Sequence, residues 1–251
     1  IGASADIDAD DVVVIGYSAL VNKNESIAIG STSDVQGNDA IAIGYAATIG
    51  NNNDQSVAIG HQASVTASSA TALGYQASVS AANSMALGNG ASVSAANEIY
   101  LGNSAITSIG GIVNWTATSD GRFKKSVQED VVGLEFIEQL RPVTYTYDTG
   151  ALNELQGKAS SEALQATNAA KEQIRYSGFI AQEVAEAAEV VGYAFSGVDK
   201  PQDDKDIYGL RYAEFVVPVV KAVQELNDKV EAQQKTHTEQ QAIITEQRML
   251  L

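Results

Sequence analysis

Seven tripeptides ending in glycine recur in one register: Val14-Ile15-Gly16, Ala28-Ile29-Gly30, Ala42-Ile43-Gly44, Ala58-Ile59-Gly60, Ala72-Leu73-Gly74, Ala86-Leu87-Gly88 and Tyr100-Leu101-Gly102. The glycines step by 14, 14, 16, 14, 14 and 14 residues. Three residues past most of them stands an alanine (Ala19, Ala47, Ala63, Ala77, Ala91 and Ala105), usually followed two residues later by Val or Ile. Each unit therefore holds two short stretches alternating with period two, the pattern of half-buried strands, and the Gly- or Asn-rich spacers between them suit turns with positive φ. Two strands and two turns in 14 residues make one coil of a solenoid. Such a coil cannot bury its apolar face alone. It gains stability by stacking on its neighbours and, with side chains this small, by packing against other chains. The 16-residue step contains Asn51-Asn52-Asn53-Asp54, which predicts a longer loop at that coil.

Composition agrees with a narrow interior. Against 21 Gly there are only 5 Phe, 1 Trp, 3 Pro and 2 Met, although 45% of the chain is hydrophobic. The net charge is −16, with 1 basic and 9 acidic residues before Ile112 and 14 and 22 after it, so both halves carry −8. Such a surface repels phosphate backbones, which makes nucleic acid a poor partner for either half. Without Cys there are no disulfides and no thiolate metal sites, so an extracellular chain of this kind must rely on burial, pairing or oligomerisation. The only histidines are His61 and His237, and no paired carboxylates stand in a recognisable site context. Neither a metal centre, nor a cofactor, nor a conventional hydrolase acting on separate substrates is expected. No apolar run reaches the roughly 18 residues of a membrane span, so no membrane insertion is expected of this stretch. The sequence opens on Ile1 inside a repeat, without an initiator Met or signal peptide, and reads as a piece of a longer protein.

From about Ile7 to Ile106 the repeats resemble the head of trimeric autotransporter adhesins (the YadA-like head). The resemblance implies a left-handed β-roll in each of three chains, and in that family some heads bind extracellular matrix proteins through motifs similar to Ser56-Val57-Ala58-Ile59-Gly60. A passive spacer is the competing reading, because the motif residues are the ones the coil geometry requires. Tyr17, Tyr45, His61 and Tyr75 each follow a repeat glycine and are expected to form a ladder along one face. Such a ladder covers the edge of the roll, or stacks on a ligand such as carbohydrate.

After Gly111 the repeat stops and the composition becomes that of a mixed α/β domain. Val131 to Leu140 has a helical apolar pattern ending before Pro142, Val143 to Tyr147 alternates as a strand, and residues 150 to 174 read as a polar, Ala-rich loop or loosely packed helix. Arg175 to Ile180 reads as strand, Ala181 to Val190 as helix and Ile207 to Tyr212 as strand. From Glu214 onward Val216, Val223, Val230, His237, Ile244 and Leu251 step by 7, with Val219, Leu226, Gln233, Gln240 and Gln247 between them. That is a coiled-coil seam, apolar at first and later mixed with Gln and His, in which His237 is a polar layer rather than a ligand.

Four ordered motifs carry a second resemblance: Thr118-Ser119-Asp120-Gly121-Arg122-Phe123-Lys124, Leu140-Arg141-Pro142-Val143, Ser177-Gly178-Phe179-Ile180-Ala181-Gln182-Glu183-Val184, and Tyr212 through Leu226. Together, from about Trp115 to the C-terminus, they resemble the intramolecular chaperone domain of phage endosialidases and tail spikes, the S74 peptidase family. That resemblance implies a trimeric chaperone which aligns three chains, helps the upstream β-structure fold, and is released by autoproteolysis through a Ser-Lys dyad. It puts the nucleophile on Ser119 and the general base on Lys124, with Lys125 adding a second positive charge beside the base. By itself a Ser and a Lys five apart mean little, since SDGR is an ordinary turn. Lysine serves as a base only when its pKa falls from about 10.4 through burial or nearby positive charge. Attack by the Ser119 hydroxyl on the carbonyl of Thr118 closes a five-membered ring, whereas attack on its own carbonyl would close a four-membered one. The expected scissile bond is therefore Thr118-Ser119, although water activation would shift it by one bond.

The fold class expected is mainly β then α+β: a left-handed trimeric β-roll solenoid over 1–112, a small α/β chaperone domain over 113–212, and a C-terminal trimeric coiled coil over 213–251. The function expected is a segment of a homotrimeric extracellular fibre, on a bacterial surface or a phage tail, whose enzymology is one self-cleavage per chain. The alternative is an adhesin tip that meets a host-surface protein or glycan receptor and keeps its C-terminal domain attached.

Overall fold

In the computed structural model, which describes residues 1–155, 162–202 and 206–249, the glycine-punctuated half is a β-solenoid. Each coil gives a two-residue strand to one seven-stranded parallel sheet (Asp6–Ile7 to Ser92–Val93) and a three-residue strand to a second (Val13–Ile15 to Ile99–Leu101). Register is strict: Ala28 pairs with Ala42, Ala42 with Ala58, Ala58 with Ala72 and Ala72 with Ala86. This alanine column faces Val21, Val35, Ile49, Val65, Val79 and Val93 of the other sheet, and these side chains form one buried cluster. The core is thus one small residue deep from each side, which is why large side chains are scarce. In strands such as Ile27–Ile29 the central Ala points in and both isoleucines point out, so the second sheet carries rows of half-exposed Ile, Val and Leu on its outer face.

Coil-on-coil packing dictates the glycines. Gly16, Gly30, Gly44, Gly60 and Gly74 have φ of +146°, +137°, +138°, +138° and +140°, where L side chains are strained. A Cβ on each would also run into the carbonyl of the glycine in the next coil. The other turns depart from the sequence expectation. Their left-handed positions are held by Ser18, Thr32, Ala46, Gln62 and Gln76 on one side and Asp11, Glu25, Asp39, Ser69 and Asn83 on the other, not chiefly by Gly or Asn. Left-handed geometry costs about 1–2 kcal/mol at a non-glycine residue. Here it is enforced from the coil before: the N–H of Thr32 donates to Tyr17 O (2.8 Å), that of Gln62 to Tyr45 O (2.8 Å) and that of Ser69 to Asp54 O (2.9 Å).

Buried serines mark alternate coils. Ser26 Oγ lies 2.9 Å from the carbonyls of both Asn24 and Gly37, one of which takes its proton, and it accepts the Ala40 N–H at 3.2 Å. Ser56 and Ser84 repeat the arrangement, Ser84 accepting from the Glu98 N–H. The 16-residue step forms the expected longer turn without breaking register, since Ile41 still pairs with Val57 and Thr48 with Ser64. Asp54 Oδ1, in that turn, accepts the N–H of Asn38 from the coil before (2.8 Å). Stacking also lines up like charges. Glu25 is held above its ordinary value of 4.5, first by its side-chain hydrogen bond with Asp39, then by the charge of Asp39, with smaller effects from desolvation and Asp11.

Among the described residues five α-helices follow: α1 (Leu134–Gln139), α2 (Thr149–Leu155), α3 (Glu162–Lys171), α4 (Ala181–Val190) and α5 (Val216–Met249). The 150–174 stretch is therefore two helices, with 156–161 outside the described residues, and it belongs to the same compact unit as the roll. Lys171 Nζ donates to the carbonyls of Ser104 (2.7 Å) and Ile106 (2.8 Å), which lie just past the last strand of the roll. Ser104 Oγ donates to Asn153 Oδ1 at 2.7 Å, and the Lys171 ammonium stands 5.7 Å from the centre of the Tyr147 ring. The hairpin thus caps one end of the solenoid, and burial lowers the Lys171 pKa.

The second compact unit comprises 111–145, 175–201 and 207–251. Val143–Tyr145 pairs antiparallel with Tyr176–Gly178, and Val198–Asp199 with Gly209–Leu210. The strands expected over 143–147, 175–180 and 207–212 are shorter than the alternation suggested, because isolated two-stranded ribbons lack neighbours to extend them. At Tyr212 the chain turns into a 3-10 helix that leads into α5. Helix α4 matches its expected span, and α1 is the core of the 131–140 pattern. Four of the five phenylalanines make the core: Phe136 lies 5.0 Å from Phe195, Phe195 4.8 Å from Phe215 and Phe215 5.3 Å from Phe179. Gly133 lets α1 approach α5 closely, since a Cβ there would meet Ala222 N and Lys221 Cγ, and Glu225 of α5 accepts the Leu134 N–H at 2.7 Å. Beyond Pro218 and Ala222 the α5 seam is uncovered: Val216, Val223 and Leu226 are 60%, 61% and 51% exposed. Leu251, the last seam position, lies outside the described residues.

Two measurements test this account. Because the Glu25 pKa is raised on folding, its contribution to stability is complete below about 4.5 and is lost as pH rises through the raised value. The melting temperature of the roll should therefore rise on acidification from pH 7, less so in Glu25→Gln; identical profiles would refute the stacked-carboxylate explanation. Lys171→Met should leave two carbonyls without their donor, at about 1–3 kcal/mol. Hydrogen exchange should quicken at Gly102 and Ile106 and stay unchanged at Ile43 and Ile59.

Candidate functional site

The segment Ser119–Lys124 is a tight turn built by its own side chains. Asp120 caps the 3-10 turn Gly121–Phe123, accepting the Arg122 N–H on Oδ1 at 2.9 Å. Its carboxylate also holds the Arg122 guanidinium, at 2.9 Å from Nε and 2.6 Å from Nη2. That pairing lowers the Asp120 pKa and raises that of Arg122. The Lys124 N–H donates back to Gly121 O at 3.2 Å, closing the turn. This closure brings the ends of the motif together, and Lys124 Nζ donates to Ser119 Oγ at 2.8 Å. Lys125 makes no ion pair among the described residues. Thr118 precedes the turn in irregular, exposed chain.

The pair lies open to solvent, and so do the large apolar residues around it: Trp115 is 85% exposed, Phe123 75% and Val127 78%. Arg122 lies over the Phe123 ring at 5.7 Å. The sequence points to Ser119 and Lys124 but not to Asp120 and Arg122, whose cap and ion pair lie in the turn between them. The available signal was Asp at an N-cap followed by Gly.

Of the expected aromatic ladder, three members stack: Tyr45 on His61 at 5.0 Å and His61 on Tyr75 at 5.2 Å. Beside them Gln76 Nε2 donates to Gln62 Oε1 at 2.9 Å. Tyr17 is outside the stack, because the coil between it and Tyr45 carries Ser31 at that position. Along the other edge Asn24, Glu25, Asn38, Asp39 and Asp54 line an open groove. Among the described residues no three His, Cys, Asp or Glu side chains are placed to hold a metal, and no helix is long and apolar enough to cross a membrane. His237 sits exposed on α5.

Comparison with known proteins bears on both halves. The family model described as YadA head domain repeat matches residues 13–33, 52–77, 66–91 and 80–97. The model described as Chaperone of endosialidase, peptidase S74, matches residues 119–193, beginning at Ser119. Among solved structures, the collagen-binding domain of the Yersinia adhesin YadA aligns at 19% identity with a TM-score of 0.30, covering 45% of this chain and 79% of its own. Curated proteins give no match. The chain is a YadA-like head followed by a domain of the peptidase S74, endosialidase-chaperone family.

Proposed function

We propose that this chain is part of a homotrimeric surface fibre whose C-terminal region aligns three chains for folding and then cuts itself from the head at Thr118-Ser119. In this reading the head occupies 1–112, the chaperone 113–212 and the coiled coil 213–251. The observation that carries it is the 2.8 Å contact between Lys124 Nζ and Ser119 Oγ inside the capped turn. Lys124, once deprotonated, takes the Ser119 hydroxyl proton while Oγ attacks the Thr118 carbonyl. The C–N bond breaks as Lys124 hands that proton to the nitrogen, which leaves as the Ser119 amine, and Thr118 is left as an ester on Oγ. Water then hydrolyses the ester, giving a Thr118 carboxylate.

A lysine base needs a desolvated surrounding, which the exposed turn of one chain does not provide. Packing of three chains over Trp115, Phe123 and Val127 would supply it, tying the cut to completed assembly. The uncovered α5 seam and the outward Ile and Leu rows of the roll support association of this kind. Topology supplies the reason for a chaperone: three chains must find a common register before distant contacts reward them, and a C-terminal trimeriser shortens that search. Released from it, the head would be held by slow unfolding. The second reading, an adhesin that retains its C-terminal domain while the roll meets a host-surface protein or glycan, is favoured by the Lys171 contacts of the hairpin. Bacterial surface and phage tail are both compatible owners.

Ser119→Ala should assemble normally, near 79 kDa by light scattering, about three times the 26.3 kDa chain, and should not cleave. Lys124→Arg should also assemble uncleaved, because Arg keeps its proton, whereas Lys125→Arg should cut. The wild-type rate should rise with pH while the trimer persists. Cleavage persisting in the Lys124→Arg trimer would rule out the lysine base, and new termini elsewhere than at Thr118, Ser119 or Asp120, read by mass spectrometry, would discard the bond assignment.

Asp120 is a positioning residue in this scheme. Asp120→Ala should slow cleavage on the order of tenfold by loosening the turn. Asp120→Asn, which keeps the cap, should lose less. Equal rates in all three would show that the turn does not set the geometry.

A further inference from the structure

Tyr17, Ser31 and Tyr45 occupy one file of the roll, because Ile15 pairs with Ile29 and Ile29 with Ile43, each two residues before them. The same relation is seen in the backbone, where the Thr32 N–H donates to Tyr17 O and the Ala46 N–H to Ser31 O. Two steps along the file, Tyr45 and Tyr75 bracket His61, whose imidazole stacks on both rings at 5.0 and 5.2 Å. Tyr17 and Tyr45 therefore bracket Ser31 as Tyr45 and Tyr75 bracket His61, but Ser31 has no ring. Tyr17 makes no ring contact among the described residues, and Tyr17 and Tyr45 are 60% and 51% exposed. The fold thus holds two tyrosines two rungs apart, about 10 Å at a strand spacing of about 4.8 Å, with a hydroxymethyl group between them.

We propose that this open rung is a binding site for one flat cationic group, the guanidinium of an arginine on a partner protein, sandwiched between Tyr17 and Tyr45. Shape follows from the His61 rung two coils on, which accommodates one flat ring with tyrosines on both sides. Charge follows from the surroundings: up to Ile112 the chain carries nine acidic residues and Lys23 as its one base, so a cation is drawn in, an anionic ligand is repelled and a neutral sugar gains nothing from the field. Two aromatic faces add cation–π attraction, for which a planar guanidinium is better shaped than the compact ammonium of lysine. Arg122 over Phe123 is an instance of the same contact within this chain. The site lies in the head and stands apart from the cleavage chemistry, so it can be tested on Ser119→Ala trimers.

The experiment titrates N-acetyl-arginine amide into the Ser119→Ala trimer and follows the amide resonances of Ser31 and Thr32. The lysine analogue and methyl glucoside serve as comparison probes. Saturable shifts are expected with the arginine probe, several-fold weaker ones with lysine and none with the glucoside, the midpoint rising with salt. Ser31→Tyr, which completes the ladder and should fold at least as well, is expected to weaken the arginine probe about tenfold or more, as is Tyr17→Ala. An unchanged midpoint in Ser31→Tyr, preference for the glucoside, or no shift at Ser31 and Thr32 with any probe would each overturn the proposal.

Discussion

One repeated interaction organises the head: the backbone hydrogen bond from each coil to the next, at the spacing of neighbouring strands. Everything else in the roll is subordinate to it. It permits no side chain at the glycine file, because the next carbonyl lies where a Cβ would go. It holds Ser, Thr, Gln, Asp and Glu in left-handed turns that they would leave if free, and it limits the core to Ala on one side and Val or Ile on the other. The exterior inherits the same period. Outward isoleucines form rows, rings stack where rings recur, and carboxylates fall one above another, so that Glu25 resists ionisation beside Asp39.

Strict periodicity made the roll readable from its residues, since alternation and glycine spacing are local signals repeated seven times. Sequence and structure diverge where a residue's environment, and not its identity, decides its conformation. Gly- and Asn-rich turns were the natural expectation for positive φ, yet Ala46 and Thr32 adopt it because the coil before fixes their N–H groups, a restraint absent from local propensity. The glycine spacing places Tyr17 in a ladder that Ser31 interrupts. Residues 150–174 read as a loop or loose helix because their partners, the carbonyls of Ser104 and Ile106, lie more than sixty residues away in sequence. Nothing in an Ala-rich, polar segment announces such a contact. In the cleavage motif, Ser119 and Lys124 were legible only through family likeness. Their five-residue separation says little until Asp120 and Arg122 fold it into a turn.

The second unit gains its stability differently. Its ribbons are too short to stand as sheets, and four phenylalanines gathered between α1, α4 and the start of α5 supply the packing. All five phenylalanines of the chain lie outside the repeat, and four of them pack together where no stacked coils supply a core. The two halves illustrate two ways of satisfying the same backbone: one by repetition with small residues, the other by a few large ones in irregular surroundings.

The hairpin of α2 and α3 gives the covalent chain an unusual relation to the fold. It lies downstream of Thr118-Ser119 in sequence, yet it is seated on the end of the roll, with Lys171 holding the carbonyls of Ser104 and Ile106 and Asn153 accepting from Ser104. Hydrolysis of that one peptide bond would therefore make two polypeptides without making two bodies. The fragments would part only when a handful of hydrogen bonds opened, on a timescale set by that opening and not by the chemistry. Scission and departure become separate events, and a severed chain could keep its chaperone as a cap until something else, such as a neighbouring surface or a change of salt, prised the lysine loose.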